Sequence, residues 1–169
     1  MSITLRSYQD QDWPQLWPIL RNTISTGDTF VFPTDSTEED IRRAWVELPL
    51  AVYVACSEDG TILGSYKLQP NQPGLGSHVC NGSYVVSPAA RHRGIASLMC
   101  ENSQVEAVRL GFRAMQFNLV VVTNIEAVQL WKKLGFQIVG TLPKAFRHRQ
   151  LGFVDAHVMY KKLPDRSES

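Results

Sequence analysis

The sequence predicts a single α/β (α+β) domain spanning residues 1–169, in which a mixed, mostly antiparallel twisted sheet carries flanking helices. Three observations predict it. Residues 51–57 and 61–68 are β-forming runs on either side of Glu58-Asp59-Gly60, a tight hairpin turn. Tyr84-Val85-Val86 ends an apolar strand, and after a turn at 87–90 the residues Ile95, Leu98, Val105 and Val108 recur at helical spacing, so a strand feeds a helix. Residues 136–140 and 153–163 then read as a closing strand pair. A chain of this length buries a substantial core as one unit.

Composition narrows the function. Hydrophobic residues at 44% and charged residues at 20% are ordinary for a globular protein, and a net charge of +1 argues against nucleic acid or membrane surfaces as partners held by bulk electrostatics. The N-terminus lacks a cationic segment followed by an apolar one, and no apolar run reaches membrane-spanning length, so a cytoplasmic location is expected. Cys56, Cys80 and Cys100 are odd in number, widely spaced and set among apolar residues. They read as reduced, buried thiols rather than as a disulfide, a metal site or a nucleophile, and no metal is expected.

The remaining elements follow in order. Ile3 and Leu5 mark a first strand; Asp10 or Asp12 caps a helix that carries Trp13, Leu16, Trp17, Leu20 and Ile24 on one face, with Pro14 in its first turn and Pro18 as a kink. Phe30-Val31-Phe32-Pro33 places large apolar side chains in a loop. Phe30 and Phe32 are therefore candidates for the wall of a substrate pocket, beside the alternative that they fill the core. Ser36-Thr37-Glu38-Glu39 reads as a capping box for a second helix carrying Ile41, Trp45 and Leu48. Residues 69–77 are a loop and 78–86 a strand, in which Gly82 suggests a bulge or a close backbone approach. A helix over 91–110 ends at Gly111, a strand covers 115–122, and Thr123-Asn124 caps a helix over 125–134 that ends at Gly135. Residues 144–149 are a basic segment between the last two strands, and 164–169 are expected to fray.

The chemistry concentrates at Arg91-His92-Arg93-Gly94-Ile95-Ala96. A helix start with no acidic residue, two arginines and uncovered backbone N–H groups suits a phosphate or pyrophosphate. Neither a P-loop nor a dinucleotide-binding glycine fingerprint is present. Preceded by Val86-Ser87-Pro88, this segment resembles the acyl-CoA signature of the GNAT N-acetyltransferase superfamily. Two further blocks resemble the same superfamily: Asn124 to Phe136, with Asn124, Ala127, Leu130, Gly135 and Phe136 at the matching places, and the last strand from Asp155 to Leu163. The three blocks span about half the chain.

The resemblance implies acetyl-CoA as cosubstrate and a sheet whose central strands splay to admit the pantetheine arm. The backbone at Tyr84, Val85 and Val86 would receive that arm as an added strand, and the segment His92, Arg93, Gly94, Ile95, Ala96 and Ser97, with Arg91, would hold the pyrophosphate. Asn124 matches the asparagine that contacts the CoA arm. Trp131 stands with Asn124 among the residues expected on the cofactor side, where many relatives use a tyrosine to protonate the departing thiolate; the indole cannot release a proton at neutral pH. The spacing of Asn81, Asn118 and Asn124 is similar to that of fungal N-acetyltransferases acting on proline analogues. That similarity implies a small amino-acid-like amine acceptor, with Asn118 and Asn81 as the catalytic candidates. Asn118 interrupts the apolar strand and needs hydrogen-bond partners if buried; Asp155, His78 and His157 are candidate bases acting through water. Acetylation of a protein N-terminus or lysine, and a non-catalytic acyl-CoA-binding module, are the alternative readings, and a homodimer is left open.

Overall fold

The computed structural model describes residues 2–168. Seven strands form one sheet in the order β1-β2-β3-β4-β5-β7-β6, with β1 at Ile3–Ser7, β2 at Ala51–Ser57, β3 at Ile62–Pro70, β4 at Val79–Val86, β5 at Ala114–Val121, β6 at Gln137–His148 and β7 at Gly152–Lys162. Every neighbouring pair is antiparallel except β4 and β5, which run parallel. The mixed, mostly antiparallel sheet expected from the sequence is therefore present. Helices α1 (Trp13–Thr26) and α2 (Glu38–Arg42) cover one face, and α3 (Ile95–Arg109) and α4 (Ile125–Lys133) the other.

Strand alternation distributes the side chains between two cores. Tyr66, Leu68, Met115 and Phe117 pack toward α3 and α4, whereas Val54, Ile62 and Val85 pack toward Leu16, Leu20, Ile41 and Trp45. All three cysteines are buried free thiols, and burial pushes Cys80 up to about 12 and Cys100 up to about 11. Neither of these two is a nucleophile at neutral pH, as the sequence suggested.

Several boundaries differ from the sequence reading, each for a local reason. Residues 91–94 are not helical: His92 and Gly94 adopt φ of 60° and 75°, and Gly94 is the N-cap of α3. The cap of α2 is Thr37, whose Oγ1 accepts from the Asp40 amide at 3.2 Å, so Ser36 and Glu39 form no capping box. Helix α2 runs into a π turn at Arg43–Glu47. The basic segment 144–149 is not a loop; Lys144, Ala145, Phe146, Arg147 and His148 extend β6, leaving a short turn before β7. Arg149 in that turn donates from its amide to the Gly27 carbonyl at 3.0 Å and from its guanidinium to the Ser25 carbonyl at 2.9 Å, which ties the hairpin end to the end of α1. The C-terminal segment carries a short turn at Arg166–Glu168, with Asp165 3.4 Å from Arg113; Ser169 lies outside the described residues.

The start of α1 rests on a partly buried ion pair. Asp12 is 4% exposed, accepts two 2.8 Å hydrogen bonds from the Arg6 guanidinium and a third from the Gln9 amide. The guanidinium holds its carboxyl below the usual carboxylate range against the opposing effect of burial. A depressed carboxyl adds stability above its unfolded pKa of about 3.9 and loses it as pH falls through the lower folded value. Asp12→Asn is therefore expected to lower stability by roughly 1–3 kcal/mol at pH 7 and to remove part of the acid limb of the stability profile below about pH 4. Urea midpoints measured from pH 2 to 8 check this; an unchanged acid limb would show that the pair contributes nothing.

Candidate active site

The central feature is a gap between parallel strands. Strands β4 and β5 pair at only three positions, Val79 with Ala114, Cys80 with Met115 and Asn81 with Gln116, and then separate. The Ser87 amide bonds the Leu63 carbonyl at 2.8 Å, and the Asn71 amide bonds the Val79 carbonyl at 2.8 Å; both fix the odd-numbered residues of β4 toward β3. The N–H and C=O groups of Gly82, Tyr84 and Val86 consequently face the space that β5 has left. Val85 lines this space too, but its own backbone groups turn to β3.

Gly82 does not make the bulge that the sequence suggested. The β3–β4 register runs unbroken from Gly64–Val86 to Pro70–Cys80 with Gly82 opposite Leu68, and a Cβ at Gly82 would lie 3.0 Å from the Tyr84 hydroxyl oxygen. Its role is the close approach of that ring. The bulge is instead on β5, where Phe117 pairs Met159 but Val120 pairs His157, so β5 carries one extra residue. Asn118 sits in it.

A cleft of about 1110 Å³ fills the gap and opens toward both faces of the sheet. Toward α3 and α4 it is bounded by the starts of both helices. Arg91, His92, Gly94, Ile95, Ala96 and Ser97 line it, as do Asn124, Glu126 and Ala127. The first-turn amides of α3 have no acidic neighbour, and a Cβ at Gly94 would meet nothing within 4 Å, so the backbone here is open to a ligand. Asn124 uses its side-chain oxygen to cap α4, accepting from the Ala127 amide at 3.4 Å, which leaves its NH₂ as a donor. Arg93 is exposed and does not line the cleft.

The apolar wall of this half is an aromatic cluster. Trp131 is 9% exposed, with its ring 5.1 Å from Tyr84 and 5.0 Å from Phe117. Tyr84 directs its hydroxyl away, to the Ser103 hydroxyl at 2.5 Å, and burial raises its pKa well above the ordinary value. With its hydroxyl engaged by Ser103, it does not stand in the place that the resemblance gives to a tyrosine at position 131.

Toward α1 and α2 the cleft is lined by Thr23, Thr26, Asp28, Phe30, Val31 and Phe32, by Lys67 and Gln69 of β3, and by Asn81, Ser83 and Asn118. Phe30 lies edge-on to Trp45 at 5.8 Å and 6.1 Å from Phe32, so these phenylalanines both pack on the core and face the cleft. Asn81 and Asn118 belong to a connected set of amides. Gln69, Asn81 and Gln116 stand side by side on three adjacent strands. Asn81 donates to the Gln116 carbonyl at 3.0 Å, Gln116 donates to Asn118 Oδ1 at 3.0 Å, and Asn118 donates to Asn71 Oδ1 at 2.7 Å. Asn118 is exposed rather than buried, yet both ends of its amide are held.

Three sequence candidates fall outside the site. His78, Asp155 and His157 do not line the cleft; Asp155 accepts from the Lys144 amide at 2.9 Å, and His157 pairs with Thr141 at 2.8 Å. The sequence reading missed Lys67, Asp28, Thr23, Gln69, Gln116 and Asn71. For the amides the signal was present, since Gln69, Asn81 and Gln116 alternate onto one face once the register of the three strands is known. No group of three or more His, Cys, Asp or Glu residues able to hold a metal occurs among the described residues, and no helix among them is long and apolar enough to cross a membrane.

Residues 13–136 match the acetyltransferase (GNAT) family. The chain belongs to that family. Among GNAT relatives it is 36% identical over 110 residues to N-acetyltransferase aca1 of Schizosaccharomyces pombe, which covers 64% of this chain and 53% of that protein. It is 33% identical over 107 residues to the L-amino acid N-acetyltransferase AaaT of Escherichia coli, covering 63% of this chain and 64% of that one. The chain thus spans less than two thirds of either curated relative. The structure of a GCN5-related N-acetyltransferase from Kribbella flavida superposes with a TM-score of 0.90 at 42% identity, covering 95% of this chain and 98% of the other.

Trp131 packs against Tyr84 and Phe117, and its indole has no proton to release near neutral pH. Trp131→Phe is expected to lower the turnover of acetyl transfer by less than tenfold and to leave its pH profile unshifted, whereas loss of a general acid costs about 10²–10⁴-fold. Steady-state kinetics across pH 6 to 10 distinguish the two.

Proposed function

We propose that this protein is an acetyl-CoA-dependent N-acetyltransferase whose acceptor is the amine of a small, amino-acid-like molecule. The observation that carries the reading is one cleft passing through the sheet with two chemically different halves: helix starts and an unpaired strand edge on one side, an amide row and aromatic loop on the other. Acetyl-CoA supplies an activated acetyl thioester. The Tyr84 and Val86 backbone groups receive the pantetheine arm as an added strand. The amides of Ile95, Ala96 and Ser97, with Arg91 and His92 beside them, take the pyrophosphate, and the Asn124 NH₂ donates to the arm. Asn81 and Asn118 orient the acceptor amine from the opposite face.

Two features favour a small acceptor over a protein N-terminus or lysine. The end of α1, which leads into the loop carrying Phe30 and Phe32, is held to the β6–β7 turn by Arg149, and both phenylalanines line the acceptor side. The lining there combines amides, hydroxyls and aromatic rings with one carboxylate, Asp28, and one ammonium, Lys67. The relative AaaT, an L-amino acid N-acetyltransferase by name, supports the same reading. A thiol-release assay with acetyl-CoA and separate pools of amino acids, other amines and peptides tests it. Release with amino acids is the expected result; release only with peptides, or none, overturns it.

Two variants probe the halves separately. Gly94→Asp places a carboxylate where the backbone is open, at a residue with φ of 75°. Calorimetry should show acetyl-CoA affinity falling by at least about tenfold, from like-charge repulsion and crowding of the pyrophosphate. Asn118→Ala should impair transfer while acetyl-CoA affinity stays within about twofold. A loss of roughly 10²–10³ in kcat marks a hydrogen bond to the reacting carbonyl, and a rise confined to the acceptor KM marks acceptor orientation. Wild-type kinetics, or lost acetyl-CoA binding, would remove Asn118 from the acceptor side.

A further inference from the structure

Lys67 lies on β3 opposite Ser83 of β4, on the sheet face that also carries Ser65, Gln69 and Asn81. It is 8% exposed and lines the cleft with Thr23, Phe30 and Phe32. Its ammonium donates to the Ala44 carbonyl at 2.9 Å and stands 5.4 Å from the centre of the Trp45 ring. The π turn assists this contact: the Leu48 amide, which in an α-helix would bond Ala44, reaches back to the Arg43 carbonyl at 3.0 Å. One carbonyl and one ring face do not satisfy three N–H donors. No carboxylate pairs with Lys67 among the described residues, and burial with nothing to offset it pushes the ammonium down to about 8.

Packing does not require a charge at this position. An unbranched apolar side chain of similar length would fill the space without the cost of desolvating an ammonium. A second polar group stands in the same condition: Thr23 Oγ1 is buried, has no hydrogen-bond partner among the described residues, and belongs to a residue lining the same cleft. The other charged residues lining the cleft are Asp28 on the acceptor side and Arg91, His92 and Glu126 at the helix starts. Lys67 is therefore the cation of the acceptor half.

We propose that Lys67 binds the carboxylate of the acceptor, with the Thr23 hydroxyl donating to the same group, and so selects amines that carry an acidic function. This assignment rests on the reaction inferred above and names the part of the acceptor that the amides do not read. A carboxylate held at Lys67 leaves the amine of the same molecule to be oriented by Asn81 and Asn118 toward the gap between β4 and β5. The buried charge acquires the counter-ion that the folded chain lacks.

The test uses CoA-saturated protein and a panel of N-acetyl-L-amino acids with their carboxamides, so that binding is read without turnover. Calorimetry should show wild type preferring the acids by roughly 10–100-fold, the range of a charge-assisted hydrogen bond. Lys67→Met should abolish that preference by weakening the acids alone, with the carboxamides and CoA itself changed by less than about twofold. The Lys67 ammonium, followed by NMR, should titrate at higher pH once an acid is bound. Equal affinity of wild type for acids and carboxamides, a preference that survives Lys67→Met, or an equal loss for both ligand sets would each overturn the proposal. Thr23→Val, a milder change, should weaken the acids in the same selective way if Lys67→Met does not fold. Charge-selective binding without amino-acid turnover would remove the reaction proposed above and keep Lys67; turnover without charge selectivity would keep the reaction and remove Lys67.

Discussion

Three residue pairs hold β4 to β5, and the separation of the two strands beyond Asn81 and Gln116 is the constraint on which the site depends. A strand inside a sheet normally spends its backbone groups on both neighbours. Here one edge of β4 keeps its partner along the whole strand, while the other is unpaired from Gly82 to Val86. Such an edge inside a protein is costly unless something extended pairs with it, so the gap is a template for a ligand rather than a defect of packing. The helices on one side of the gap start beside it because each follows directly from the strand that borders it: β4 leads to α3 through residues 87–94, and β5 leads to α4 through residues 122–124.

The divergence also explains the bulge. Beyond the last pair with β4, β5 still has to keep its ladder with β7, and the extra residue between Phe117 and Val120 lets it bend away without losing that register on either side. The same bend leaves Asn118 at the rim of the cleft, in hydrogen-bond contact with Asn71 beyond the end of β3. Asn81 and Asn118 therefore both take part in the hydrogen bonds that bridge the mouth of the gap and line the cleft.

What the sequence disclosed follows from the range of the interactions involved. The 51–68 hairpin, the strand-to-helix unit at Tyr84 to Arg109 and the cap at Asn124 are set by local spacing, turn residues and backbone dihedrals, so they were legible. The bulge was placed on the wrong strand because Gly82 carries a local signal, whereas β5 bends for a reason that only the sheet order reveals. Arg91, His92 and Arg93 were read as helix because nothing in residue type marks the positive φ at His92. Lys67 was invisible for a related reason. In the run Ser65-Tyr66-Lys67-Leu68 it looks like the polar face of a half-exposed strand, and only the π turn and Trp45 arching over it make that face an interior.

The departure at Trp131 becomes intelligible once the two proton transfers of acetyl transfer are weighed separately. The group that leaves is an alkyl thiolate, whose conjugate acid titrates near 8.5, so near neutral pH it departs without the assistance that a more basic leaving group would need. A proton donor at position 131 is thus the part of the machinery that this site forgoes at least cost, and the indole instead stabilises the wall formed with Tyr84 and Phe117. The acceptor has the harder requirement, because only a neutral amine attacks. Entry into a cleft lined by Phe30, Phe32 and amides disfavours the ammonium form through lost hydration, and none of those amides can take up a proton. On the proposed reaction, the site would thus act chiefly by desolvating and aiming the nucleophile, with comparatively little invested in the leaving group.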